Sequence, residues 1–318
     1  MAKYRWAIAA ALVSSMVCMP VMATEVGDEA PPLKIKEWVK GGPVELKKGD
    51  HIYVVEFWAT WCGPCLKSIP HLTELQKKYK DKGVIVIGVS DEKVSKVRPF
   101  VEKKGSQMDY VVAVDDGRQT ARAYLQAFGV RGIPHAFIVG KSGKILWHGN
   151  PADPNDKIDQ IVEEVVAGKF DLARAKETEK ARKRVEKAMK LFPQYFTLAS
   201  QDEKSDEMKK LGKKIFKNGR SNAMLMTQFA WIIMDDKRIK HRDLKLAKKA
   251  AKAAFEVDDG KNAMILNTYA RALFETGDVK EALEHQKKAV ELCDNPRLMT
   301  KLKESLEKYQ KALADKEA

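Results

Sequence analysis

At 318 residues and 35.8 kDa the chain is too long for one small module and fits about two domains of roughly 100–200 residues each. Its 44% hydrophobic and 32% charged residues exclude a disordered or collagen-like chain, and four cysteines are too few for a disulfide-stapled scaffold. The net charge of +14 is lopsided: residues 24–170 hold 22 Lys and Arg against 20 Asp and Glu, whereas 171–318 hold 34 against 24. That basic half intersperses Lys with Glu and has few aromatics, which is the pattern of a solvated helical surface. With no recognition motif present, nucleic-acid binding is not expected.

Residues 1–23 read as a secretory signal peptide. Lys3 and Arg5 precede a mainly apolar stretch of seventeen residues, Trp6 to Met22, short of the roughly 20 that cross a membrane as a helix. Val21-Met22-Ala23 has the spacing that a signal peptidase reads, so cleavage is expected before Thr24 and the mature protein is expected to be periplasmic or otherwise extracytoplasmic. Cys18 leaves with the peptide, and Cys62, Cys65 and Cys293 remain.

Over 24–170, short runs rich in Val, Ile and aromatics alternate with helical spacing. Strands are expected at Ile52 to Trp58, Val84 to Val89, Tyr110 to Val114 and Ala136 to Val139, with a turn at 141–144 leading into Ile145 to His148. Helices are expected at Lys67 to Tyr79, Val94 to Lys104 and Gln119 to Phe128. This is an α/β domain.

After Gly168 the strand signals stop, and 171–318 reads as an all-α domain. Within 222–293 a diverged repeat is visible: Asn222-Ala223-Met224-Leu225 recurs as Asn262-Ala263-Met264-Ile265, and Phe229-Ala230 as Tyr269-Ala270. About five extra residues around Lys237 to Arg242 separate this spacing from the roughly 34 of a helix-turn-helix solenoid unit. The stretch from Tyr269 through Gly277, Glu281-Ala282 and Ala289 resembles a tetratricopeptide repeat, with Asp278 and Glu281 expected to cap the second helix reciprocally. Two partial repeats are fewer than the three or so usually needed, so core packing stands beside binding of a protein partner. Cys293 is expected as a buried free thiol on the apolar side of a helix.

The sharpest chemical signal is Trp61-Cys62-Gly63-Pro64-Cys65, which follows an apolar strand and opens a helix. A zinc site would want a second cysteine pair, and haem attachment would want His where Leu66 stands. A structural disulfide closing so short a loop would add little stability. At a helix N-terminus, Cys62 gains thiolate character from unsatisfied N–H groups and the helix dipole. A thiol pKa lowered from about 8.5 to about 7 raises the thiolate fraction at neutral pH from roughly 3% to roughly 50%. Lost nucleophilicity leaves only about a threefold net gain. Proximity matters more: Cys65, one turn away, attacks a Cys62 mixed disulfide without a second encounter.

About 145 residues resemble the thioredoxin fold, and within it the extracytoplasmic TlpA-like thiol-disulfide oxidoreductases. The residues that carry this are Glu56-Phe57-Trp58-Ala59-Thr60-Trp61-Cys62-Gly63-Pro64-Cys65, Pro70 and Gly132-Ile133-Pro134; Asp28-Glu29-Ala30-Pro31 and a hairpin expected over Leu33 to Leu46 resemble that group's N-terminal extension. The resemblance implies Cys62 as attacking and Cys65 as resolving thiol, a redox-active disulfide between them, and a helix kinked at Pro70. It also implies a cis Pro134 beside the dithiol, leaving the Ile133 backbone free to pair with an extended substrate near Trp61, Gly63 and Pro64. Glu56, a lone carboxylate in an apolar strand, is expected to have a raised pKa, and the resemblance implies that it helps deprotonate the resolving thiol. His135 and His71 read as surface imidazoles, and no zinc motif is present.

The expected protein is therefore an exported protein-disulfide reductase, acting on protein thiols or disulfides. It carries no flavin or nicotinamide motif, so its electrons are expected from a membrane-embedded donor. Two alternatives remain at this point: a peroxiredoxin-like peroxidase on the same fold, and an adaptor that binds partners through its helical half.

Overall fold

A computed structural model describes residues 24–317 apart from 50, 155 and 202–204. The signal-peptide expectation, residues 1–23, lies outside the described residues. The chain divides into two compact units between Lys176 and Glu177.

In chain order the first unit holds β1 (Ile35–Lys40), β2 (Ile52–Trp58), α1 (Gly63–Tyr79), β3 (Val84–Ser90), α2 (Val94–Lys104) and β4 (Val111–Asp115). Then follow α3 (Gln119–Ala121), which runs on as a π turn over Arg122–Gln126, then β5 (His135–Val139), β6 (Ile145–Gly149) and α4 (Ile158–Val166). The six strands form one mixed sheet in the order β1-β4-β3-β2-β5-β6. Every residue of β2 is buried, as a central strand covered on both faces must be. Its alternate side chains feed two cores. Val54 and Trp58 pack with Ile69, Leu72 and Val162 on one face, while Tyr53, Val55 and Phe57 pack with Tyr124 and Phe137 on the other.

In the first unit two elements differ from expectation. Residues 33–46 form no hairpin: β1 instead pairs antiparallel with β4, Trp38 opposite Ala113, and no strand follows over 43–46. The reversal at Gly41-Gly42, both at positive φ, packs against Trp38, since a Cβ on Gly42 would come 2.6 Å from Trp38 Cε3. Helix α1 starts at Gly63 rather than Lys67, because Cys62 serves as its N-cap and Pro64 fits the first turn, where no N–H is needed. Pro70 lies inside that helix, as the resemblance implied.

The second unit is all helix: α5 (Leu172–Ala199, which begins in the first unit), α6 (Asp206–Gly219), α7 (Ala223–Asp235), α8 (Leu244–Asp258), α9 (Ala263–Glu275), α10 (Val279–Glu291) and α11 (Pro296–Glu317). The repeat has a local cause at its start. Asn222 caps α7 by accepting from Leu225 N at 2.8 Å, and Asn262 caps α9 by accepting from Met264 N at 2.9 Å. The connection between α7 and α8, residues 236–243, is five residues longer than that between α9 and α10, residues 276–278, which accounts for the insertion. Small residues set the spacing: Ala270, Ala282 and Ala289 are buried, and a Cβ on Gly212 would come 2.6 Å from Leu246 Cδ2.

The reciprocal cap on α10 is absent. Asp278 pairs with Lys248 and accepts from Thr276 Oγ1 at 3.2 Å, and Glu281 accepts from the Tyr269 hydroxyl at 3.2 Å, so both side chains are held away from the helix amides. Cys293 is half-buried just past the end of α10, with Sγ 3.4 Å from the Asn295 carbonyl, rather than buried on a helix. Among the described residues no helix is long and apolar enough to cross a membrane.

Candidate active site

Strand β2 delivers the chain to the dithiol. After Trp58 the backbone turns, and Thr60 is fastened by Glu92, whose Oε2 accepts from Thr60 N at 2.6 Å and Oε1 from Thr60 Oγ1 at 3.0 Å. Cys62 and Cys65 are joined by a disulfide, S–S 2.01 Å and Cα–Cα 5.2 Å. Cys62 Sγ, at the N-cap of α1, also accepts from Cys65 N at 3.2 Å. That N–H and the helix dipole stabilise negative charge on Cys62 once the bond opens. Cys62 keeps 4% of its surface exposed and Cys65 none, so an incoming group reaches Cys62. Trp61, 71% exposed, stands beside it.

The antiparallel pairing of β2 with β5, Phe57 opposite His135, brings residues 133–134 alongside. The Ile133–Pro134 peptide is cis, and the Ile133 carbonyl lies 3.7 Å from Cys62 Sγ. Trp61, Ile133 and Cys62 are thus gathered at one edge of the site, and Gly63 and Pro64 line a second groove on the α1 side.

Behind the dithiol sits Glu56, fully buried in β2. The Ser68 hydroxyl donates to the Cys65 carbonyl at 2.9 Å and lies 3.3 Å from Glu56 Oε1, linking the carboxyl to the inner cysteine's backbone. Burial pushes the Glu56 carboxyl up to about 8, with the Ser68 contact opposing the rise. A carboxyl held there is largely protonated at pH 7 and has a pKa suited to proton exchange near neutrality.

Three buried polar atoms cluster in this core without a protein partner: Glu56 Oε2, Trp58 Nε1 and the Tyr110 hydroxyl. Burial first, and then the Glu56 charge, holds the Tyr110 phenol well above its usual range. Gly88 makes the space they share. It pairs with Glu56 across the sheet, and a Cβ there would come 3.0 Å from both Trp58 Nε1 and Tyr110 Cε2. Gly88→Ala is accordingly expected to destabilise the fold by about 1–3 kcal/mol, through overpacking between stiff rings, as measured by denaturant unfolding. An unchanged unfolding midpoint would show that the rings yield freely.

Sequence reasoning missed Ser68, Glu92, Tyr110 and Gly88. Only Ser68, three residues after Cys65 on a helix, had a periodic signal that placed it near the site. The histidines differ from expectation. His135 and His148 share a ring-nitrogen contact of 2.9 Å and both pack against Phe137, and His71 contacts Asp159 at 2.7 Å and the Pro151 carbonyl at 3.3 Å. Neither His135 nor His71 is a free surface imidazole. Among the described residues, no group of three or more His, Cys, Asp or Glu is placed to hold a metal ion.

Comparison with known proteins assigns a family by sequence. The AhpC/TSA family profile matches residues 26–148. The thiol-disulfide oxidoreductase ResA of Bacillus thuringiensis subsp. konkukian is 33% identical over 144 residues, covering 44% of this chain and 79% of the relative. ResA of Bacillus anthracis is 37% identical over 125 residues, covering 38% and 68%. A crystal structure of a thiol:disulfide interchange protein of the thioredoxin family from Chlorobium tepidum is 27% identical, covers 45% of this chain and 99% of that one, and gives a TM-score of 0.37. One-third identity sustained over most of a relative's length, on a mixed sheet that presents a bonded Cys62–Cys65 pair, makes this chain a member of the ResA-type thiol-disulfide oxidoreductases, TlpA-like in kind, with an all-helical region following.

Proposed function

We propose that the protein is exported and reduces disulfides of other proteins outside the cytoplasm. In this reading the reduced Cys62 thiolate attacks a substrate sulfur, forming a Cys62–substrate disulfide and releasing the partner sulfur as a thiolate. Cys65 then loses its proton toward Glu56 and attacks Cys62 Sγ, which frees the second substrate thiolate and closes the Cys62–Cys65 bond. Two electrons pass from the dithiol to the substrate, and a donor thiol pair at the membrane restores the enzyme. Ile133 and Pro134 offer backbone to an extended substrate, with Trp61, Gly63 and Pro64 beside it.

The observation that carries this reading is the asymmetry of the pair: an outer sulfur at a helix N-cap, and an inner, wholly buried cysteine whose backbone carbonyl is linked through Ser68 to a buried carboxyl pushed up to about 8. The relatives' printed name, thiol-disulfide oxidoreductase, supports it. Export is supported by the charged and apolar pattern of residues 1–23. The helical repeats between 222 and 293 are read as a tetratricopeptide-like domain, 171–318, that engages a protein partner. To test the proposal, Cys65→Ala is expressed in the native host and covalent adducts are identified by mass spectrometry. Extracytoplasmic proteins bound through Cys62 are expected; adducts with cytoplasmic proteins alone, or none above a Cys62→Ser control, would count against it.

A further inference from the structure

On the side of Trp61 and Ile133, the first unit has an open groove of about 890 Å³ whose wall carries Arg118, Arg122 and Arg131 together with apolar Leu125 and Val130. The carboxylates that share it are already engaged. Asp115 gives one oxygen to Thr120 N at 2.9 Å and the other to Ala121 N at 2.8 Å. Asp91 faces Arg118 at 3.3 Å. Arg122 and Arg131 are both exposed, and neither has a carboxylate partner among the described residues. With three arginines against Asp91 and Asp115 the lining carries a net positive charge, and Arg122 and Arg131 are the exposed cations that present it beside apolar Leu125 and Val130.

The backbone places Arg131 near the reacting sulfur, and Arg122 shares the groove lining with Trp61 and Ile133. Arg131 stands two residues before Ile133, whose carbonyl is 3.7 Å from Cys62 Sγ, so its Cα lies within about 7.6 Å of the Ile133 Cα. Arg122 opens the π turn Arg122–Gln126, an irregularity that concentrates at functional sites. A substrate segment extended along Ile133 advances about 3.3 Å per residue, so a carboxylate within about four residues of its cysteine comes within reach of these side chains. Guanidinium groups also suit a carboxylate better than any other side chain, through paired N–H donors.

We propose that this groove selects protein disulfides whose cysteine is flanked, within about four residues, by an acidic side chain, and that Arg122 and Arg131 are the charges that read it. This rests on the reading of the chain as a protein-disulfide reductase and specifies its substrate class. The chemical step is unchanged: the Cys62 thiolate forms a bond to the peptide sulfur, the other sulfur of the substrate leaves as a thiolate, and Cys65 completes the two-electron reduction. The arginines act on encounter and on the stability of the bound segment.

The test uses full-length, pre-reduced enzyme in single turnover, so no external reductant enters. Three synthetic peptides share one cysteine, blocked as a disulfide with thionitrobenzoate, and differ only in two flanking positions filled with Glu, Gln or Lys. Release of the chromophore is followed against peptide concentration. At low ionic strength the Glu peptide is expected to be favoured over the Lys peptide by about tenfold, through tighter half-saturation rather than a higher maximal rate. The preference should shrink as salt is raised. In the double variant Arg122→Gln, Arg131→Gln it should fall to about twofold or less, a ratio that partial misfolding would leave untouched. Equal rates for Glu and Lys peptides in the native enzyme, or a preference undiminished in the variant, overturn the proposal while the dithiol chemistry stands. Failure of every peptide to form a disulfide with Cys62 overturns the reductase reading and this inference together.

Discussion

A Glu56→Gln enzyme is expected to release its mixed disulfide on the order of 10²-fold more slowly than the native enzyme near pH 8, while forming it at close to the native rate. In water Glu56 would have ionised near pH 4.5, but the apolar core holds its carboxyl up to about 8, close to the ordinary range of the thiol it serves. A base works best when its pKa lies near that of its partner and near the working pH. Cys65, wholly buried, has its backbone carbonyl tied through Ser68 to this carboxyl, and the first attack, at Cys62, makes no use of that link. Release by the native enzyme should therefore rise with pH to a plateau above about 8, as Glu56 loses its proton, and the Gln variant should lose that rise. Stopped-flow measurement of both steps on a pre-formed mixed disulfide separates them, and equal slowing of formation and release would remove Glu56 from the resolving step.

The same group leaves a thermodynamic mark. Between pH 4.5 and about 8 the folded protein holds a proton that the unfolded chain has released, so stability falls as pH rises through that window. Below about 4.5 both states are protonated and the effect vanishes; above about 8 the cost is complete and amounts to a few kcal/mol. Glu56→Gln keeps the shape and a hydrogen-bonding group toward Ser68 without the charge. Its unfolding free energy should be flatter across pH 5–9 and exceed the native value at pH 9, as read from urea unfolding at several pH values.

The second large effect separates the two cysteines. Cys62→Ser should abolish turnover by removing the nucleophile, a loss on the order of 10³-fold or more. Cys65→Ser should keep a near-native first step and stall after it, because only the intramolecular attack is lost. The contrast follows from position: Cys62, at the N-cap of α1, keeps a small part of its surface exposed while Cys65 lies wholly inside the core. Single-turnover and multiple-turnover assays of both variants against one protein disulfide give the comparison. A Cys62→Ser enzyme that still exchanges disulfides through Cys65 would reverse the assigned roles.

Much of this site was legible in the chain because its parts are local. The apolar run of β2, the cysteine pair and the helix after it lie within 28 residues, 52–79, and the lone carboxylate of β2 announces itself among Val, Phe and Trp. What stayed hidden was long-range. β1 looked like half of a hairpin because nothing in residues 33–46 records that its partner is β4, more than 70 residues on. Glu92 holds Thr60 from 32 residues away, and its sequence context is an ordinary polar loop. Gly88 sits mid-strand, where glycine has no local rationale, and only the approach of Trp58 and Tyr110 explains it. Asp278 and Glu281 had capping spacing, but tertiary partners Lys248 and Tyr269 took both side chains.

The central claim is that Cys62, and not Cys65, is the ionised and reachable sulfur of the reduced enzyme. It is tested most directly by alkylating the reduced protein with iodoacetamide from pH 5 to 10 and locating the adduct by mass spectrometry. The account predicts modification of Cys62 first, with a rate that titrates below the roughly 8.5 of a free thiol. Modification of Cys65 first, or a Cys62 rate that titrates at 8.5 or above, would contradict it.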